Sequence, residues 1–262
     1  MDDRSLPRIE MDGRPATVQA LWSALASGYG HFTAMQVRDR KVRGVDLHLA
    51  RLEEGTRALF GAGLDGDRVR ELTRHALGDD VRDASVRIYV LGSEPNAELS
   101  VMVAVREPAF MPGTPQSLQS VPFQRPLAHI KHLGGFGQAY YRRLAAEDGF
   151  DEALFVGADG VVAEGSITNI GFAEGDTVVW PDAPSLRGIA MQVLERELSK
   201  AGIAWRRRTV HVADVGSFDG AFISNSRGVA SVGRIDETVL ATDAELVSMV
   251  MRLFDVAPWD PI

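Results

Sequence analysis

The chain has 262 residues, 45% hydrophobic and 24% charged, with a formal net charge of -8 and no cysteine. This composition is typical of a globular protein, and the length suits two small domains. The acidic balance argues against a nucleic-acid partner, and the lack of cysteine excludes disulfides, thiolate catalysis and zinc–thiolate sites. The polar first residues do not resemble a signal peptide, and no apolar run could span a membrane, so a cytoplasmic location is expected.

The first half is predicted to be an α/β domain, residues 1–108. Alternating apolar residues in "HFTAMQV" predict a strand, and the polar turn "RDRK" after it predicts a hairpin. Asp46 is a candidate N-cap of the next helix, which Gly61 would end, and Asp65 or Asp67 would start another. The segments "SVRIYVLG" and "ELSVMVAVREP" are predicted to be further strands.

The proline-rich stretch "AFMPGTPQSLQSVPFQRP" shows no clear period and is predicted to be an interdomain linker, residues 109–126. Residues 127–262 then form a second predicted α/β domain with mixed sheets. Its helices are predicted in "FGQAYYRRLAAED", "RGIAMQVLERELSKAGI" and "AELVSMVMRLF", the last with a capping box of Thr242 and Glu245. A strand meander covers "EALFVGADGVVAEGSITNIGFAEGDTVVWP", and "GAFISNSRGVASVGRID" is predicted to be strand, turn and strand.

Lysine is rare in this chain, since only three of its 28 basic residues are lysines and the rest are arginines. Lys41 lies in a predicted turn, and Lys200 lies in the last turn of a helix, where a cation is favourable. Lys131 follows the apolar "LAHI" and has no acidic neighbour in the sequence. An amine can lose its proton and attack a carbonyl, which a guanidinium cannot do. The alternative is a lysine that only extends from a strand end to solvent.

Four other features accompany this lysine. Glu164 lies in an apolar strand, where a carboxylate needs a positive partner. Arg51 lies among apolar helix residues in "HLARL". The segments "SLRGIA" (185–190) and "SNSRG" (224–228) can present backbone N–H groups to a phosphate. Each has a structural alternative, such as an ion pair for Glu164 or a plain turn at 224–228. Together they are the components of a pyridoxal-phosphate site.

These segments resemble the fold-type IV pyridoxal-phosphate enzymes: the branched-chain aminotransferases, the D-amino acid aminotransferases and the 4-amino-4-deoxychorismate lyases. The resemblance runs from about Gly28 to Asp236. Its motifs are "DLHLARL", "IKHLGGFG", "GFDEALFVGADGVVAEGSITNIGF", "SLRGIAMQVLERELSKAGI" and "AFISNSRGVASVGRID". The resemblance implies a D-amino acid aminotransferase-like fold of two α/β domains, with the cofactor in the cleft between them, and a homodimer.

The resemblance also implies roles for individual residues. Lys131 would form the Schiff base with pyridoxal 5'-phosphate, and Glu164 would face the pyridine nitrogen. The phosphate would be held by Arg51, Ile189, Ala190, Ser224 and Asn225. Candidates for substrate contacts are Tyr29, His31, Arg87 and Tyr89. No metal site is expected, because His129 and His132 lack a third ligand.

Three positions depart from the family pattern. Phe136 stands where branched-chain enzymes often have a cofactor-contacting tyrosine, and Ala190 stands where they usually have threonine. Leu91 stands where D-amino acid enzymes carry a substrate-binding arginine. The leading hypothesis is transfer of an amino group between a small amino acid or amine and a 2-oxo acid. The alternatives are an aminodeoxychorismate-type lyase that releases pyruvate, and a non-catalytic relative that binds a ligand or partner.

Overall fold

The computed structural model describes residues 7–92 and 99–262. The first residues of the predicted N-terminal domain, and Glu98 at the start of a predicted strand, lie outside the described residues. The described strands are β1 (Arg8–Met11), β2 (Arg14–Pro15), β3 (Gly30–Val37), β4 (Lys41–Val42), β5 (Ala84–Leu91), β6 (Ser100–Arg106), β7 (Gln116–Pro122), β8 (Glu152–Val156), β9 (Val162–Gly165), β10 (Asn169–Glu174), β11 (Thr177–Pro181), β12 (Ala204–Arg208), β13 (Gly220–Asn225), β14 (Gly228–Ile235), β15 (Thr238–Val239) and β16 (Asp260–Pro261).

The described helices are α1 (Val18–Ser27), α2 (Val45–Phe60), α3 (Gly66–Leu77), α4 (Phe136–Glu147), α5 (Ile189–Lys200) and α6 (Glu245–Val256), with a 3-10 helix at Val212–Ser217. In the part of the chain that the structure describes, no helix is both long enough and apolar enough to cross a membrane.

The chain forms two compact units that do not follow one another simply along the sequence. The first unit contains Met1–Ala109, Ile130–Gly134 and Pro258–Ile262, and the second contains Phe110–His129 and Gly135–Ala257. This division differs from the predicted one. The segment predicted to be a linker contributes β7 to the sheet of the second unit, because β7 pairs with both β8 and β14. Lys131 lies in the first unit.

An antiparallel sheet in the order β2-β1-β6-β5-β3 forms the first unit. Alternate residues of its strands, such as Val86, Ile88 and Val90 of β5, are buried in a core with Leu52 of α2 and Val69 of α3. Because side chains alternate across a strand, the residues between them lie on the opposite face of the sheet. That opposite face carries several of the candidate site residues.

Strand β16, near the end of the sequence, pairs with β4 in a small two-stranded sheet of the first unit. The Asp260 carboxylate accepts hydrogen bonds from the backbone N–H groups of Gly44 (3.1 Å) and Val45 (3.4 Å), at the start of α2. The predicted N-cap at Asp46 is therefore wrong. Gly44 occupies the cap position in a left-handed conformation (φ 66°), and an aspartate distant in sequence supplies the carboxylate. Asp65 does cap α3, as predicted, through the N–H groups of Asp67 and Arg68.

A mixed sheet in the order β12-β11-β10-β13-β14-β7-β8-β9 forms the second unit. One of its faces carries a core that includes Leu154, Ile170, Phe172 and Ile223. The predicted helices are all present in this unit. Residue Ala244, with no side-chain cap, precedes α6, so the predicted capping box of Thr242 and Glu245 is wrong.

Candidate active site

The backbone on both sides of Lys131 is fixed to strand β3 within the first unit. The N–H of Phe32 donates to the carbonyl of Lys131 (2.9 Å), and the N–H of Leu133 donates to the carbonyl of Gly30 (3.0 Å). Residues His31 and His132 form an antiparallel bridge. The lysine is thus held at the edge of the sheet as a short added strand, and its backbone has little freedom to move.

The side chain of Lys131 extends over an aromatic surface. Its Nζ lies 4.9 Å from the centre of the Phe32 ring. The Tyr89 ring stacks on Phe32 at 5.4 Å, and the Arg87 guanidinium lies 5.9 Å from the same ring. An amine, a guanidinium and two aromatic rings therefore share the face of this sheet opposite the core. Arg87 and Tyr89 share this face because they alternate along β5 with the buried Val86, Ile88 and Val90.

Helix α2 carries two further residues of this neighbourhood, Arg51 and His48. The buried His48 forms a hydrogen bond through Nδ1 with Thr33 Oγ1 (2.6 Å). Burial, with the positive charges of Arg51 and Lys131, lowers the pKa of His48 to about 3, and the negative charge of Asp46 opposes them. Because both cations act on one imidazole, Arg51 and Lys131 lie in the same electrostatic neighbourhood, with a neutral histidine beside them.

The side chains of the predicted substrate residues Tyr29 and His31 contact helix α2. The hydroxyl of Tyr29 donates to the carbonyl of Leu59 (2.8 Å). The buried His31 bonds through Nε2 to Thr56 Oγ1 (3.0 Å), whose hydroxyl donates to Leu52. The histidine must therefore donate from Nε2. Burial lowers the pKa of His31 to about 4. Their contact with substrate stays a prediction.

Glu164 lies on β9 in the second unit, and protein donors bind both of its oxygens. Arg125 donates from Nε to Oε1 (3.1 Å), and the N–H of Leu186 donates to Oε2 (2.9 Å). Arg125 also donates to the carbonyl of Ala128. The buried carboxylate thus has the positive partner that burial requires. A carboxylate offers about four acceptor positions, so Glu164 retains capacity for a further donor.

The predicted phosphate-binding residues of the second unit lie at the start of α5 and the end of β13. Helix α5 begins at Ile189 after Gly188, without a side-chain cap, so its first N–H groups keep their capacity to bind an anion. The Ser224 hydroxyl is buried and has no hydrogen-bond partner among the described residues. Asn225 accepts a bond from the N–H of Arg227 (2.8 Å) and shapes the turn.

These donors fit a phosphate, and Glu164 fits a protonated ring nitrogen, so the residues present suit pyridoxal phosphate. Residues 30–235 match the family model for class IV amino-transferases, which is most of the chain. The chain belongs to the class IV aminotransferase family. This membership confirms the predicted family, the mixed α/β fold, the class of enzyme and pyridoxal 5'-phosphate as its cofactor.

Solved structures share the fold of this class IV aminotransferase. A hypothetical aminotransferase from Mycobacterium tuberculosis, in a PLP-bound form, is 23% identical with a TM-score of 0.79, covering 89% of this chain and 90% of that one. A putative 4-amino-4-deoxychorismate lyase from Legionella pneumophila is 19% identical (TM-score 0.81; 90% and 93% covered). The branched-chain amino acid aminotransferase of Escherichia coli is 17% identical (TM-score 0.85; 97% and 95% covered). The comparison with curated proteins finds no match.

Sequence reasoning missed two residues that contact candidate site residues. They are Arg125, which binds Glu164, and Phe32, whose ring lies beside the Lys131 amine. Arg125 lies in the proline-rich stretch, where no period indicates which side chains are buried. Phe32 could have been found, because it alternates with the buried Thr33 and pairs across the strands with Tyr89.

Of the two departures from the family pattern nearest the cofactor motifs, Phe136 is 81% exposed and Ala190 is buried. In the described ranges 7–92 and 99–262, no group of three or more His, Asp or Glu side chains could hold a metal ion.

Proposed function

We propose that this class IV aminotransferase moves an amino group between a small amino acid or amine and a 2-oxo acid, with Lys131 as the lysine that bonds covalently to the cofactor. The observation that carries this proposal is the position of the Lys131 amine, 4.9 Å from the Phe32 ring. The same sheet face presents Arg87 and Tyr89. An amine beside an arginine suits a substrate with a carboxylate next to its reacting carbon.

The residues that would hold the cofactor are those that the family resemblance implies. Glu164 would accept a hydrogen bond from the protonated ring nitrogen. When bound, pyridoxal phosphate withdraws electrons from the bond between the substrate Cα and its hydrogen. The phosphate would be bound by Arg51, Ile189, Ala190, Ser224 and Asn225. Support comes from the uncapped start of α5 and the buried hydroxyl of Ser224, since both supply donors that an anion needs.

Lys131 would also move the proton. Its backbone is held by the bonds to Gly30 and Phe32, so its amine returns to one region after each turnover. A neutral amine there can accept the proton from the substrate Cα. The Phe32 ring then stabilises the ammonium through a cation–π contact. The proton is thus held by a group that remains near the reacting carbon.

Arg87 would bind the substrate carboxylate, and Tyr89 would line the pocket beside it. Arg87 is exposed on the face that holds Lys131, and a guanidinium binds a carboxylate through two parallel hydrogen bonds. Tyr29 and His31 remain candidates for substrate contacts. If His31 has such a role, it acts as a neutral imidazole, because burial lowers its pKa to about 4.

A lyase that releases pyruvate is the second candidate, favoured by the likeness to the putative 4-amino-4-deoxychorismate lyase from Legionella pneumophila. The deciding experiment starts with the visible spectrum of the protein loaded with pyridoxal phosphate, before and after a panel of L- and D-amino acids. Turnover that requires a 2-oxo acid acceptor would support the aminotransferase. Pyruvate release from aminodeoxychorismate without an acceptor would support the lyase. No response to any amine would favour a non-catalytic relative.

We also infer that the protein acts in the cytoplasm and, as the resemblance implies, that it is a homodimer. Supporting this, Val18 and Trp22 of α1 are 85% and 68% exposed, which leaves apolar surface that a second copy could cover. The mass of the protein in solution, measured by light scattering, tests the dimer. A monomeric mass at micromolar concentration would contradict it.

A further inference from the structure

The side chain of Asn169 lies at the start of β10, on the far side of a tight turn from Glu164. The turn is closed by the N–H of Gly165, which donates to the carbonyl of Thr168 (2.9 Å). The buried carboxylate of Glu152 fixes the tip of this turn, because it accepts a hydrogen bond from the N–H of Ile167 (2.7 Å). The separation between Glu164 and Asn169 is therefore set by a fixed piece of backbone.

Both ends of the Asn169 amide meet the segment that leads into α5. Its Nδ2 donates to the carbonyl of Leu186 (2.7 Å). Its Oδ1 packs against Gly188 so closely that a Cβ on that glycine would lie 1.9 Å from it. Glycine at 188 is thus required for this contact, although its backbone angles suit other residues (φ -59°, ψ 148°).

The same segment also binds Glu164. The N–H of Leu186 donates to Glu164 Oε2 (2.9 Å), while the carbonyl of Leu186 accepts from Asn169. One residue is therefore bound on its N–H side by the acid and on its C=O side by the asparagine. Glu164, Leu186 and Asn169 are therefore joined in a ring within the second unit. Two hydrogen bonds to Leu186 and the backbone of the turn from Glu164 to Asn169 complete it.

We propose that Asn169 is a positioning residue that sets the orientation of the Glu164 carboxylate and the place of the α5 N-terminus together, through Leu186. This proposal rests on the proposed function, in which Glu164 faces the ring nitrogen and the start of α5 binds the phosphate. Both anchors of the cofactor in this unit then depend on one side-chain amide. Losing that amide disturbs the ring contact and the phosphate contact at once.

The test replaces Asn169 with aspartate, which keeps the shape but cannot donate to the Leu186 carbonyl when ionised. The matched control is Gln116→Glu, because Gln116 is also buried in this unit and donates its amide to a backbone carbonyl, that of Thr114 (2.9 Å). We expect Asn169→Asp to weaken affinity for pyridoxal phosphate by about 5- to 30-fold, as for a lost buried hydrogen bond. It should also alter the visible spectrum of the bound cofactor.

The control variant should lower the melting temperature while keeping the parent's affinity and spectrum. A second variant, Gly188→Ala, leaves every donor in place but forces the segment away from Asn169. It should reproduce the change in spectrum, and the double variant should add little to either single one. If both variants keep the parent's spectrum and affinity, Asn169 is only structural and the proposal is wrong. If the parent shows no Lys131-dependent visible band, the proposed function itself has failed.

Discussion

Arg125 donates from Nε to Glu164 at 3.1 Å, and the two side chains are only 5% and 8% exposed. A buried ion pair is costly to break from one side, because the remaining charge has no partner. Arg125 also donates to the carbonyl of Ala128, three residues before Lys131 in the sequence. One guanidinium therefore binds both the Glu164 carboxylate and the backbone of Ala128, within the second unit.

Removing either partner of this pair should cost stability. We expect Glu164→Gln and Arg125→Gln each to lower the free energy of unfolding by about 3 kcal/mol. The double variant should lose less than the sum, since no buried charge remains. Glu164→Gln should also slow turnover at saturating cofactor, because an amide cannot hold a ring nitrogen protonated. Urea unfolding of the three variants checks the first point, and unchanged kinetics would show that Glu164 is only structural.

Substitution of Lys131 by alanine should abolish the covalent bond to the cofactor. We expect the visible band to disappear and turnover to fall by at least about 10³-fold, because the nucleophile and the base are lost together. Lys41→Ala is the matched control, since Lys41 is exposed in the same unit. Absorbance and rate are the measurements, and an active, coloured Lys131→Ala protein would contradict the assignment.

Substitution of Arg51 by alanine should weaken cofactor binding without abolishing it. A charge-assisted bond to phosphate contributes about 1.5–3 kcal/mol, which is roughly 10- to 150-fold in affinity. The backbone donors at the start of α5 would remain. The control is Arg57→Ala, because Arg57 lies on the same helix and pairs with Glu53 at the surface. Titration with cofactor gives both affinities, and a parental affinity for Arg51→Ala would place the phosphate elsewhere.

Stability should fall as the pH drops below neutrality, because His31 is buried as a neutral base. Its pKa is lowered from 6.5 to about 4, so the unfolded chain binds the proton more readily between those values. The stabilisation is present above pH 6.5 and is lost on the way to about 4. The gap corresponds to roughly 3 kcal/mol. The buried His48 acts in the same direction, and Glu152, whose pKa is raised by burial, acts in the opposite direction; both are unchanged in all variants.

The measurement is urea unfolding of the parent and His31→Gln at about pH 5 and about pH 7. The variant should lose less stability than the parent between the two conditions. His129→Gln, which alters an exposed histidine, should keep the parental dependence. Equal pH dependence in all three proteins would show that His31 does not titrate on unfolding.

Asp260 should stabilise the first unit through the start of α2. Replacing an N-terminal capping side chain by alanine costs about 0.5–2 kcal/mol. We expect Asp260→Ala to lower the free energy of unfolding by that amount. Asp243→Ala, an exposed aspartate, should change it little. If Asp260→Ala unfolds at the same denaturant concentration as the parent, the two hydrogen bonds contribute nothing to stability.

The sequence indicated those candidate site residues whose chemistry is unusual where they stand. Lys131 was distinctive in a chain that otherwise uses arginine, and Glu164 was distinctive in an apolar strand. Residues whose role depends on distant partners gave no such signal. Arg125 lies in a stretch without a period, and Asp260 binds residues more than 200 positions away. Local rules therefore proposed Asp46 as the cap of α2, whereas the tertiary fold supplied Asp260.

The boundary between the two units was misplaced for a related reason. A proline-rich stretch is usually a linker, but here it contains the strand β7. No local pattern shows that Ile130–Gly134 returns to the first unit before the chain continues into the second.

This interleaving has a consequence for how the protein is made. The chain passes between the units at 109/110, 129/130, 134/135 and 257/258. During synthesis, β3 gains its edge partner only after residues 130–134 emerge, and the start of α2 gains the Asp260 carboxylate only after the whole second unit has left the ribosome. Two fragments cut at residue 109 would therefore divide the first unit and leave Lys131 with the wrong half. The first unit contains segments both before and after Lys131. Shortening the chain to residues on one side of Lys131 therefore removes part of the unit in which Lys131 lies.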